Sequence, residues 1–339
     1  ELTPENNDIA AVFAGLPVAS VWQFRPDPDG AQFIRNPADG LENLDGWFGW
    51  FPEPRPEAFL SQLFAISANT SYLVRLEGSS TRTLSLRGRP SFRPPQWIAD
   101  GFTLTGLPVS STSAPTFADF FSASPAHVGE PIYRLSNSGQ WERITAPAST
   151  RIEAGRAYWI HTRGNSSYQG RLHLVLEQGQ SLEYSAALDE SRVVLRNFSG
   201  LPGTFQVRRL GSSGMPISYL NEDPETGETG WPDLQQTLVL DAPPAADVFL
   251  SLGVRRSLFS ADRMEEVLEI SDELGQRVLL AVGANTTQPL AQLRAGAAGK
   301  GAAPAQSATA LAGRWGGTVE IPAVSEAQRA GTEPRPVLR

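Results

Sequence analysis

The sequence has 339 residues, of which 40% are hydrophobic, 9% aromatic and 19% charged, so it can bury substantial cores and is not an intrinsically disordered protein. Its net charge of −8 argues against nucleic acid or an anionic membrane as a bulk partner. The absence of cysteine excludes disulfides, thiolate nucleophiles and zinc–thiolate sites. The sequence contains no run of about 18 apolar residues, so a membrane-spanning helix is not predicted. No signal peptide is recognised, and a first residue other than Met, Glu1, suggests a processed or trimmed chain.

The first 180 residues contain a half-hidden repeat. Gly15–Val18 returns as Gly106–Val109, 91 positions later, and the strand-like run Ala68–Val74 returns as Ala154–Ile160, 86 positions later. Each copy also holds an aromatic strand and a Trp-bearing strand, and each closes with two alternating segments that predict a hairpin. The predicted hairpin partners are Tyr72–Leu76 with Thr83–Arg87, and Tyr158–Thr162 with Leu172–Leu176. We therefore predict two copies of one small β-sandwich or barrel module, at 1–90 and 91–180.

A third all-β unit is predicted from the segments that follow. Short strands separated by turns indicate an immunoglobulin-like β-sandwich over 181–286. The candidate strands are Val193–Leu195, Thr204–Arg209, Gln236–Leu240, Val248–Val254, Val267–Ile270 and Arg277–Val282. Helical signals are scarce, and the three candidates are short: Pro56–Ala65, Thr116–Ser122 and Ser260–Glu266.

The C-terminal region changes in composition. Residues 287–313 are rich in Ala, Gly, Gln and Pro, which predicts a linker. Within 314–339, Trp315, Val319 and Ile321 share one face of a period-two segment that is too short to be stable alone. We expect this strand to pair with a sheet edge. Three outcomes stay open: docking on its own third domain, addition to a neighbouring chain, or disorder.

The spacing of glycine and aromatic residues in the repeat resembles that of a known module. Five segments are similar to tandem β-rich modules of large secreted bacterial surface proteins: Gly101–Pro108, Pro115–Phe121, Ile132-Tyr133, Gln140-Trp141 and Ala154–Ile160. Their pattern runs G-x-N-L-x-G-x-P, a short helix, I-Y, W, then G-x-A-Y-W. Thr103 replaces the usual Asn, and the first copy closes with the more degenerate Thr70–Leu73. The tail Gly313–Val319 is similar to a G-x-W-x-G-x-V element of such chains. The resemblance implies a fold and an extracellular setting, and it supplies no active site.

Four aromatics in five residues form the main interface candidate: Trp47, Phe48, Trp50 and Phe51. Side chains alternate along a strand, so they cannot all face one core. One pair is expected to reach another module, another subunit or a glycan. The remaining repeated tryptophans, Trp22, Trp141 and Trp159, are expected in cores.

Reaction chemistry has little support. His161 and His173 fall on the two strands of the second predicted hairpin; we expect them to be solvent-facing strand residues rather than a facing metal or acid/base pair, and without a third ligand they build no zinc site. The acidic segments 26–30 and 221–228 are expected to be solvated turns rather than calcium sites. No G-x-S-x-G elbow or phosphate loop is present, and no cofactor is expected. Four Asn-x-Ser/Thr sequons are candidate glycosylation sites: Asn69, Asn165, Asn197 and Asn285.

These observations favour a non-enzymatic, extracellular structural or adhesive protein. Self-association as a homo-oligomer or filament is expected, with Trp315, Val319 and Ile321 as strand-addition residues. A glycan is a possible further partner, and neither nucleic acid nor a membrane is expected. The alternative is a set of carbohydrate-binding modules within a larger secreted protein, and an enzyme ranks third.

Overall fold

The computed structural model describes residues 2–26, 34–42, 44–78, 80–177, 179–185, 188–211, 213–223 and 225–286, together with the backbone of 315–321. Within these residues, the regular secondary structure is almost all β-strand, with two short α-helices. This confirms the predicted all-β fold class. The linker at 287–313 and most of 314–339 lie outside the described residues.

The first copy is a small sandwich of short strands. Its elements are β1 (Leu2–Pro4), α1 (Ile9–Val12), β2 (Val18–Phe24), β3 (Trp47–Trp50), β4 (Tyr72–Leu76) and β5 (Arg82–Pro90), with 3-10 turns at Pro37–Asp39 and Pro56–Leu60. One sheet has the order β3-β2-β4, and β5 pairs with β1 in a second sheet. Ile9 from α1, Val21 from β2 and Leu84 from β5 belong to one buried cluster, so the two sheets share a core.

The second copy follows a related plan. Its elements are β6 (Gly101–Gly106), α2 (Phe117–Phe121), β7 (Ile132–Leu135), β8 (Trp141–Arg143) and β9 (Ala157–Thr162), which form a sheet in the order β6-β9-β7-β8. The predicted helix at 116–122 is confirmed as α2. It begins at Thr116, whose hydroxyl accepts a hydrogen bond from the Asp119 N–H.

The sheet registers show that the two copies repeat. The order β3-β2-β4 corresponds to β8-β7-β9. Tyr72 lies opposite a residue of β2, and Tyr158 lies opposite the equivalent residue of β7. Each tyrosine hydroxyl accepts a hydrogen bond from the backbone N–H five residues upstream: Ser67 at 2.7 Å in the first copy and Glu153 at 2.9 Å in the second. Shared register and shared bonding make these strands equivalent.

The other half of the predicted alignment is wrong. Gly15–Val18 follows α1 and leads into β2, whereas Gly106–Val109 follows β6 and precedes α2. The two Gly-Leu-Pro-Val runs therefore occupy different positions in the module. The boundaries proposed at residues 90 and 180 stay predictions.

The two predicted closing hairpins are also wrong. β5 pairs with β1 rather than with β4. In the second copy, the last strand β10 (Leu172–Leu176) leaves its module and joins the sheet of the third unit. Alternation shows that one face of a strand is buried, but it does not show which strand lies beside it.

The third unit is the predicted immunoglobulin-like sandwich. Its further strands are β11 (Leu182–Tyr184), β12 (Glu190–Asn197), β13 (Gly203–Arg209), β14 (Ile217–Tyr219), β15 (Asn221–Glu222), β16 (Thr229–Gly230), β17 (Thr237–Ala242), β18 (Asp247–Val254), β19 (Arg263–Asp272) and β20 (Arg277–Asn285), with a 3-10 turn at Arg256–Leu258. The sheets β10-β12-β18-β14 and β11-β20-β19-β13-β17 enclose one buried apolar cluster. All six strand candidates in this region are confirmed.

Two helix predictions differ from the structure. Residues 260–266 are not helical, because Met264, Leu268 and Ile270 face the sandwich core from β19 with a period of two. The segment 56–65 forms only the 3-10 turn at Pro56–Leu60, which leaves Phe59 pointing into solvent. In the described part of the chain, no helix is long and apolar enough to cross a membrane.

Candidate functional site

The C-terminal strand completes a sheet of the first copy. β21 (Trp315–Ile321) runs antiparallel to β5, with Trp315 opposite Gly88 and Ile321 opposite Arg82. The sheet then has the order β1-β5-β21. The acceptor is therefore an edge of the first copy, and the third sandwich, which we named as the partner for self-docking, is the wrong surface.

The chemistry of β5 explains why its edge accepts a strand. β5 is nine residues long, but β1 covers only the residues from Gly88 to Pro90 on its opposite edge. Leu84 is buried in the core, so the strand is held in place while its edge offers a row of backbone N–H and C=O groups. Gly88 allows the close approach of β1, because a Cβ there would lie 2.0 Å from the Thr3 carbonyl oxygen. Sequence analysis missed this edge as the acceptor.

Ion pairs attach β5 to the sandwich. Arg89 pairs with Glu183, whose other oxygen lies 3.1 Å from Arg263 Nη2. Burial opposes ionisation of Glu183, but hydrogen bonds and charges from both arginines hold the pKa of its carboxyl below the usual range. Phe92, just beyond β5, packs against the sandwich core. The acceptor strand thus lies beside the unit from which the C-terminal segment departs.

An aromatic interface joins the two copies. Trp22 and Leu73 are paired on the first sheet, and Tyr133 and Trp159 occupy the equivalent pair on the second. These four side chains belong to one buried cluster, so the copies pack equivalent faces against each other. The Trp159 ring lies 4.9 Å from the ring of Phe24 in the first copy. The repeated tryptophans, which were expected in cores, therefore pack largely between the two modules.

The four aromatics at 47–51 divide between two surfaces. Trp47 faces the second copy, with its ring 6.3 Å from that of Trp159. Phe51 belongs to the same cluster. On the other face, Trp50 lies in the core of the first copy, and Phe48 is half-buried with the Arg25 guanidinium 4.6 Å above its ring. Contact of these residues with another chain or a glycan stays a prediction.

A buried glutamine joins the second copy to the sandwich. The Gln276 side-chain oxygen accepts a hydrogen bond from the Leu172 N–H at 2.9 Å, and its amide donates to the carbonyls of Gln169 and Leu172. Nearby, burial raises the pKa of Asp272 to about 6. Sequence analysis missed this joint, because a single Gln in a turn carries no recognisable signal.

The histidines occupy separate packing sites, and the prediction that His161 and His173 both face solvent is wrong for His173, which is buried. His161 Nδ1 lies 2.7 Å from Glu130, whereas His173 on β10 stacks on Phe198 at 4.3 Å. His127 is buried between the hydroxyls of Ser124 and Thr162, and burial lowers its pKa to about 4. Within the described ranges, no three His, Asp or Glu side chains converge to hold a metal ion.

The sequons differ in accessibility. Asn197 is fully buried, and its amide donates to three backbone carbonyls, so the folded chain has no space for a glycan there. The prediction of a glycosylation site at Asn197 is therefore wrong. Asn69, Asn165 and Asn285 are exposed and stay candidates.

In the acidic segment 221–228, Asp223 accepts hydrogen bonds from two backbone N–H groups, as in a turn. The other acidic segment, apart from Pro26, lies outside the described residues.

Comparisons with known proteins give only distant similarity. No protein-family model and no curated protein matches the sequence. Among solved structures, the PapD-like domain 7 of human CEP192 aligns with 35% of this chain and 87% of its own, at 8% identity and a TM-score of 0.22. The Pseudomonas aeruginosa CupB2 chaperone aligns with 35% of this chain and 60% of its own, at 14% identity and a TM-score of 0.23. The Enterococcus faecalis MSCRAMM ACE, described as binding its ligands, covers 61% and 90%, at 7% identity and a TM-score of 0.19. Such scores carry no argument about function.

Proposed function

We propose that this chain is a non-enzymatic structural or adhesive protein of the bacterial cell surface that assembles by strand addition. The observation that carries the proposal is the pairing of β21 with the β5 edge, over seven residues in register. Backbone hydrogen bonds along such an edge provide affinity without a preformed pocket. The resemblance of the repeat to modules of secreted surface proteins supports an extracellular location.

The length of the linker permits exchange between chains. Roughly 27 residues separate the sandwich from the C-terminal strand, and a flexible segment of that length has an r.m.s. reach of about 28 Å. That reach allows β21 to occupy the β5 edge of its own chain or of a neighbour. Exchange between chains would be a head-to-tail contact that need not close, and it would therefore build a filament.

The packing of the tryptophans favours a structural role over sugar binding. A sugar ring stacks on an accessible aromatic face, but Trp22, Trp47 and Trp159 are buried between the two copies. These rings hold modules together. The carbohydrate-binding alternative lacks a comparable observation in its favour.

Truncation tests the proposal. Removing residues 314–339 should abolish assembly seen by size-exclusion chromatography with light scattering, because β21 is lost. A control chain lacking only 323–339 keeps the whole strand and should assemble like the full chain. A 314–339 truncation that assembles as well as the full chain would refute strand addition.

A further inference from the structure

A glycine lies in the interior of β20, a strand that is paired on both sides. Gly283 is opposite Glu183 of β11 on one side and opposite Glu265 of β19 on the other. Its φ is not positive, so no turn or left-handed conformation requires a glycine there. Glycine weakens a strand interior and often marks a place where other groups approach the backbone closely.

The missing side chain makes room for an ion cluster. A Cβ on Gly283 would lie 2.8 Å from both Arg263 Nη2 and Glu183 Oε2, and 3.1 Å from Arg89 Nη2. Arg263 reaches across β20 at this point, with Nη2 3.1 Å from Glu183 and 2.7 Å from Glu265. Arg89 of β5 pairs with the same Glu183 carboxylate. Gly283 thus provides space on the sandwich for a charged side chain of the first copy.

The ion cluster holds one end of the segment that accepts β21. This acceptor segment is Arg82–Gly88 of β5, and Arg89 is the next residue. Three residues further on, the Phe92 N–H donates to the Gln180 carbonyl at 3.1 Å, and the Phe92 ring packs against the sandwich core. Arg89 is therefore the contact with the sandwich that lies directly beside the acceptor segment.

We propose that Arg89, Glu183 and Gly283 are positioning residues for strand addition, through which the sandwich sets the affinity of the acceptor segment for β21. This inference rests on the proposed function. None of the three residues is paired with β21, so they act through β5. An added strand binds by a row of backbone hydrogen bonds, and holding the acceptor in its bound conformation reduces the ordering cost of making them.

Hydrogen exchange of the backbone amides of 315–321, measured on the full chain, tests this inference. In Glu183→Gln these amides should exchange about two- to fivefold faster than in the parent, the effect expected for a partly exposed ion pair. Gly283→Ala should also accelerate their exchange, although it removes no charge, because the new Cβ displaces the cluster. Arg89→Lys keeps the charge, so it should accelerate exchange less than Arg89→Gln does.

Two matched controls change the sandwich away from β5. Gly211→Ala brings a Cβ against Glu266, and Asp247→Asn removes the ion pair with Arg196. Both should leave exchange of 315–321 at the parental rate. Parental exchange in Glu183→Gln, equal effects of Arg89→Lys and Arg89→Gln, or acceleration in Gly211→Ala as large as in Gly283→Ala would overturn the positioning role. If the amides of 315–321 were unprotected in the parent itself, the pairing of β21 with β5 would be refuted, and strand addition with it.

Discussion

Removing the hydroxyl of Tyr158 should destabilise the chain more than removing the hydroxyl of Tyr72, although the two make equivalent hydrogen bonds. The Tyr158 side chain is 1% exposed and its hydroxyl accepts from the Glu153 N–H, so Tyr158→Phe leaves that donor without its partner. Glu153, like Ser67, is exposed, but its bond to the buried Tyr158 hydroxyl is partly buried, so water replaces this hydroxyl less easily and the cost should be about 1–1.5 kcal/mol. Tyr72 is half-buried and its donor, Ser67, is exposed, so water can replace the lost hydroxyl. Tyr72→Phe should cost less than about 1 kcal/mol.

Hydrogen exchange measured by mass spectrometry suits this comparison, because the modules need not unfold together. The free energy of opening should fall for peptides around Glu153 in Tyr158→Phe, and much less for peptides around Ser67 in Tyr72→Phe. Each variant is the control for the other. If Tyr72→Phe costs as much as Tyr158→Phe, burial does not set the strength of these bonds and the reasoning fails.

Two further predictions concern the sandwich. Burial lowers the pKa of His173 to about 4, so this residue should cost up to about 3 kcal/mol of stability as the pH falls from 6.5 to 4. Urea unfolding at both pH values should show a smaller loss in His173→Gln than in the parent, and an identical loss would contradict the assignment. Gly211→Ala should destabilise by about 1–3 kcal/mol, because the new Cβ would lie 1.9 Å from the buried Glu266 Oε1. Gly200→Ala, where a Cβ meets no atom within 4 Å, is the control and should unfold at nearly the parental urea concentration.

The strands and the repeated tyrosine could be predicted from the sequence, because both depend on local alternation. Val267–Ile270 and the other sandwich candidates carry that pattern and form strands. Tyr72 and Tyr158 mark equivalent positions, because each ring and its hydroxyl bond lie within one short segment.

Strand partners could not be predicted, because alternation carries no information about neighbours. β5 and β10 have the pattern of hairpin strands, but neither pairs with the strand before it: β5 pairs with β1, and β10 pairs with β12. The Gly-Leu-Pro-Val match failed for a related reason, since a turn motif can join different pairs of elements. The open acceptor edge of β5 depends on β1 pairing with only three residues of the opposite edge, and local alternation does not encode that pairing.

Directed disulfide formation tests the pairing of β21 with β5 most directly. Ser85 lies opposite Thr318, and the chain has no cysteine of its own, so Ser85→Cys with Thr318→Cys should form a bond on mild oxidation. Placed on separate chains, the same two substitutions should give disulfide-linked dimers if strands exchange between neighbours. Ser85→Cys with Val319→Cys is the matched control, because adjacent residues point to opposite faces of a sheet. The account predicts efficient bonding for Thr318 and little for Val319; equal yields, or no bond at all, would contradict it.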